Sequence, residues 1–188
     1  MRFSIIPGIA ASAVLAVISS SASALSVGAS GSPHGVDFQV TPTLLPRFTT
    51  SFDIFQGTDR DAHDDRDRAY TAAIMFHPIV PIVDLSVGAR YQYQTTGYGD
   101  GGGVSIGGSA FVPTALPMTS VGVYGFYTPD LITQGDVRTS KEYGVLARVN
   151  PAPKVSLTGG YRVFSTEFDR EGSHRLDHGP FIGASFGF

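Results

Sequence analysis

Residues 83–94 alternate with a period of two: Leu85, Val87, Ala89, Tyr91 and Tyr93 fall on one face, Asp84, Ser86, Gly88, Arg90, Gln92 and Gln94 on the other. Side chains of an extended chain point alternately to opposite sides, so this pattern reads as a strand with one apolar and one polar face. It returns over residues 143–150, where Tyr143, Val145, Ala147 and Val149 oppose Gly144, Leu146, Arg148 and Asn150. It returns again over residues 155–164, where Val155, Leu157, Gly159, Tyr161 and Val163 oppose Ser156, Thr158, Gly160, Arg162 and Phe164. Each run approaches the roughly 9 to 11 residues that a tilted strand needs to cross a bilayer. Past residue 25 no apolar run approaches the ~20 residues of a spanning helix.

Four weaker segments repeat the rhythm at residues 48–54, 71–76, 104–110 and 120–127, and residues 179–188 make the eighth. Composition agrees with a greasy exterior: 42% of the chain is hydrophobic and only 15% charged, where a soluble domain carries about 25% charge. Glycine, 23 residues in all, recurs on the polar parity of the strands, where a narrow barrel needs small side chains. The chain has no cysteine, which excludes disulfides, thiolate metal sites and a cysteine nucleophile.

Residues 1–24 read as a cleaved signal peptide, with Arg2 as the positive start, an apolar stretch over residues 5–18 and small residues at Ala22 and Ala24. Removing them takes away one positive charge from a net of −3, and that balance gives no basic patch for nucleic acid. Short, proline-marked connections at residues 42–46, 78–81, 113–117 and 151–153 alternate with longer polar ones at 57–68, 95–103, 128–140 and 165–177. That alternation is expected of periplasmic turns and external loops. The fold expected is therefore all-β: a transmembrane antiparallel β-barrel of about eight strands over residues 47–188, in the bacterial outer membrane. Residues 25–46 are expected to be a lead segment, in the periplasm or packed in the lumen mouth. Residues 36–40 alternate too, and the other reading makes them a ninth, parallel closing strand.

In the last segment Pro180, Ile182, Ala184, Phe186 and Phe188 share the apolar face. Residues Ile182, Ala184, Phe186 and Phe188 resemble the assembly signal of outer-membrane barrels. The partners this implies are the barrel-assembly machinery and periplasmic chaperones during export, then outer-membrane lipid and lipopolysaccharide. Residues 122–131 (GVYGFYTPDL), 143–148 (YGVLAR), 159–162 (GGYR) and 177–188 (DHGPFIGASFGF) resemble the YfaZ family of outer-membrane proteins. The resemblance implies location and architecture, and it brings no catalytic or ligand residues with it.

Three constellations carry candidate chemistry. Asp53, Asp84, Arg90, Arg148 and Arg162 lie on the polar parity and are expected to face the lumen as a paired network, since an unpaired buried charge costs several kcal/mol. Their sharper reading is a constriction selecting small anionic solutes in a narrow porin-like channel. Residues 59–68 gather five Asp, three Arg and His63; the oxygen density suits a divalent cation, but the interleaved Arg and the missing glycine of a calcium loop favour a solvated loop without metal. His174 and His178, with Ser165, Ser173, Glu167 and Asp177, supply the residue types of a lipid-modifying hydrolase or acyltransferase but no recognised motif. The function expected is a non-enzymatic integral membrane protein without cofactor, structural or passively conducting.

Overall fold

The computed structural model describes residues 25–60, 66–169 and 172–188. Ten strands form the barrel: β1 (Leu25–Ser32), β2 (Gly35–Leu45), β3 (Phe48–Arg60), β4 (Arg66–Phe76), β5 (Asp84–Thr96), β6 (Gly99–Pro113), β7 (Thr119–Thr128), β9 (Val137–Ala152), β10 (Val155–Phe168) and β11 (Gly172–Gly187). A three-residue strand, β8 (Thr133–Gly135), adds to β6 beyond the end of β7. All pairings are antiparallel, each barrel strand pairs with its neighbours in the chain, and β1 meets β11 to close the cylinder. Closure is what lipid demands, because it leaves no row of backbone groups without a partner.

The strand count corrects the expectation of eight or nine. Residues 25–46, expected as a lead, form the hairpin β1–β2, antiparallel throughout, with Val27 opposite Val40 on one side and Phe186 on the other. Their contrast is low because β1 is built of Leu25, Val27 and Ala29 set among serine and glycine. At the seam the N–H of Phe188 donates to the Leu25 carbonyl at 2.7 Å.

A second correction concerns the connections. The polar segments expected as long loops are largely strand: β5 and β6 are joined at residues 97–98, and β10 runs to Phe168. Polarity there marks where the strands leave the lipid, while hairpin pairing continues past that level. Leu25 and Phe188, the first and last described residues, both lie at the end of the proline-marked turns, which is the periplasmic end by the usual rule.

Parity is as read. Phe52, Ile54, Ile74, Tyr91, Val123, Val145, Leu157, Tyr161, Ile182 and Phe186 are 42–74% exposed and face outward. Phe48, Phe76, Phe186 and Phe188 lie toward the periplasmic end, and Tyr70, Tyr91, Tyr93, Tyr127 and Tyr143 toward the other. These aromatic girdles suit the two interfaces of a bilayer.

Inside, aromatic rings lie flat against the wall over glycines of the paired strand. Phe126 is opposite Gly107, Phe111 opposite Gly122 and Tyr124 opposite Gly144. A Cβ on these glycines would come within 2.6–2.7 Å of the facing ring. The missing side chains thus let bulky rings line a narrow lumen without filling it.

Candidate functional site

The lumen is the candidate site, and two of its arginines, Arg90 and Arg148, rest on these flattened rings. The Arg90 guanidinium stacks 4.2 Å from the Phe126 centroid and that of Arg148 3.8 Å from Phe111. Stacking orients each planar cation toward a carboxylate. Arg90 pairs with Glu142 at 2.6 Å, and the Tyr124 hydroxyl donates to the other Glu142 oxygen at 2.9 Å. Arg162 donates from Nε to Asp177 at 2.8 Å and reaches Asp37 at 3.5 Å. The Ser32 hydroxyl donates to the second oxygen of Asp177 at 2.8 Å.

The structure places all five expected lumen residues on the inner wall, but at two levels. Arg90 and Arg162 are central and buried. Asp53, near them, accepts from Ser51 at 3.1 Å. Arg148 and Asp84 pair at 3.4 Å near the periplasmic rim, with side chains 31% and 60% exposed. Glu142, Asp37, Asp177 and Tyr124 complete the network and were not among the residues expected there. The signal for Glu142 is the parity of residues 143–150 continued by one position, and for Asp37 its place opposite Phe38 in the segment 36–40. Asp177 bonds to Arg162 and Ser32, so it does not join His174 and His178 in a triad.

A cavity of about 360 Å³ runs from Gly28 and Ser185 near the periplasmic end up to Phe55 and Phe164, with Arg90, Arg162, Glu142, Asp37 and Asp53 in its wall. Above it the lumen is filled. Phe55, Ala69, Phe164 and Leu176 form an apolar layer. Over the same stretch Thr166 donates to Gln94 at 2.8 Å, its hydroxyl lies 3.2 Å from that of Ser140, and Ser105 bonds to Thr128 at 2.5 Å. Gln92, Gln94, Thr128 and Thr166 are at most 2% exposed. At the outer mouth His174 bonds to Asp67 at 2.8 Å and stacks on Tyr98, with 4.1 Å between ring centroids. His178 keeps its outward parity and stacks instead on His34 at 4.3 Å.

The carboxylates Asp37, Asp53, Asp84, Glu142 and Asp177 outnumber Arg90, Arg148 and Arg162 on the inner wall, a balance that runs against selection of anions. Among the described residues no three His, Asp or Glu side chains gather as a metal site. The expected acidic loop lies partly outside them, at residues 61–65.

No curated protein matches the chain. Among solved structures it is similar to the outer membrane channel DcaP of Acinetobacter baumannii, at 11% identity and a TM-score of 0.43, covering 86% of this chain and 54% of that one. It is also similar to LpxR from Salmonella typhimurium, at 10% identity and a TM-score of 0.43, covering 82% of this chain and 71% of that one. For the NanC porin the identity is 11% and the TM-score 0.43, with coverage of 88% and 99%. The chain thus spans about half the length of the DcaP chain. The family model described as YfaZ precursor matches residues 7–188, and a precursor agrees with the export peptide read in residues 1–24, which lie outside the described residues. With a closed, apolar-walled barrel and a match over nearly its whole length, the chain is an outer-membrane protein and belongs to the YfaZ family.

Proposed function

We propose that the protein is a non-enzymatic, structural barrel whose lumen ends blindly beneath the outer surface. The observation that carries this is a gradient along the inner wall. Inward side chains pass from 60% exposed at Asp84 and 31% at Arg148 to 9% at Arg162, and residue exposure falls to 1% at Gln94 and Thr166. An ion entering from the periplasm meets a packed layer of phenylalanine, leucine, glutamine and threonine. A side-chain-filled interior is what narrow barrels ordinarily have. During export, the assembly machinery and its chaperones read the outward face of β11, Ile182, Ala184, Phe186 and Phe188.

The test is planar-bilayer recording of the purified barrel in potassium chloride. Silent membranes are expected, with the same sample showing heat-modifiable migration on gels to prove that it is folded. Reproducible current steps from folded protein would replace this reading with that of a narrow channel.

A further inference from the structure

Lys141 and Arg175 lie side by side on the lipid-facing wall, without a counter-charge among the described residues. Lys141 and Arg175 are exposed on outward parity, and the register sets them in one row, Tyr127 opposite Lys141, Lys141 opposite Ser165, and Ser165 opposite Arg175. Neighbouring strands lie ~4.8 Å apart, so the two cations start roughly 10 Å from each other, a gap that two long side chains close on one group. Among the described residues neither has a carboxylate partner. Nearby Arg138, by contrast, is compensated by Asp130 at 3.6 Å and Glu167 at 3.8 Å. The Lys141 ammonium lies 5.8 Å from the Tyr127 ring centroid.

The row sits one outward position beyond Tyr143, where the apolar band ends and head groups begin. Beneath it the wall is apolar and recessed. Ala147 faces Gly159, with Val145, Tyr161 and Ile182 around them, and a Cβ on Gly159 would meet nothing closer than the Phe181 carbonyl at 3.6 Å.

We propose that Lys141, Ser165 and Arg175 bind a phosphate of a phosphorylated, multiply acylated glycolipid of the outer leaflet, with an acyl chain seated over Ala147 and Gly159. A phosphate supplies both the missing charge and acceptor oxygens for ammonium, hydroxyl and guanidinium. Cations at the head-group level are where anionic lipid is recognised. The site is on the outer wall, so it stands or falls independently of whether the lumen conducts.

Native mass spectrometry of the mature barrel in detergent tests this with three probes: lipid A carrying both phosphates, dephosphorylated lipid A, and phosphatidylglycerol. Retention of the bis-phosphorylated form is expected, with at least ~10-fold weaker retention of the other two. Removing both cations in Lys141→Ala/Arg175→Ala is expected to weaken it roughly 30-fold. The milder Lys141→Gln alone should weaken it about 5-fold and serves if the double variant fails to fold. Arg68→Ala, an outward cation on β4 across the barrel, should leave it unchanged. Equal retention by wild type and the cation variants, or phosphatidylglycerol held as tightly as lipid A, would overturn the assignment.

Discussion

Arg90 and Glu142 show what a charge needs inside this wall. Each side chain is only about one-tenth exposed, and they meet at 2.6 Å over the Phe126 ring. Changing Glu142 to Gln leaves the guanidinium buried without its counter-ion, and removing one partner of such a pair costs about 3 kcal/mol. The urea midpoint of the folded barrel is expected to fall accordingly. Replacing both partners, Arg90→Met with Glu142→Leu, should recover most of the loss, because two apolar groups leave nothing unpaired. A single variant as stable as wild type would mean that water in the cavity already satisfies Arg90. Parity alone placed Arg90 on the inner wall. Its partner was hidden because Glu142 sits just before residues 143–150, and nothing in the local sequence says that β7 brings Phe126 between them.

Strands behave differently on their two faces. Val145 is 57% exposed at mid-strand on the lipid side, so Val145→Arg is expected to cost about 2–4 kcal/mol. Refolding into lipid vesicles, followed in urea, measures it, and a cost near zero would mean that this face is not in lipid. Deleting residues 25–32 removes β1 and exposes the edges of β2 and β11, whose backbone groups have no partner in hydrocarbon. Loss of the heat-modifiable folded band is expected. If the truncated chain still folds, nine strands suffice and the seam is dispensable. Strong alternation made the eight later strands legible. The first two were not, because short serine- and glycine-rich strands carry little apolar contrast of their own and acquire their place only by pairing with β11.

At the scale of the whole barrel, the proposed blind end of the lumen is what an engineered opening tests. Phe164→Ala with Leu176→Ala thins the apolar layer, and Gln94→Ala with Thr166→Ala thins the polar one. The fourfold variant is expected to conduct in planar bilayers where wild type is silent. Its current should prefer cations, because carboxylates outnumber arginines along the opened path. An anion preference would contradict the charge balance read from the wall. Sequence by itself determined the class of this protein: period-two alternation over bilayer-length segments leaves a closed antiparallel cylinder as the one way to satisfy the backbone in lipid. It also assigned nearly every side chain to lumen or lipid, since parity is a local property. Only the tertiary structure decided that ten strands close the cylinder, which arginine meets which carboxylate, and that Phe55 and Phe164, like Gln94 and Thr166, pack together inside it. Those are contacts between residues far apart in the chain, and register, curvature and closure bring them together.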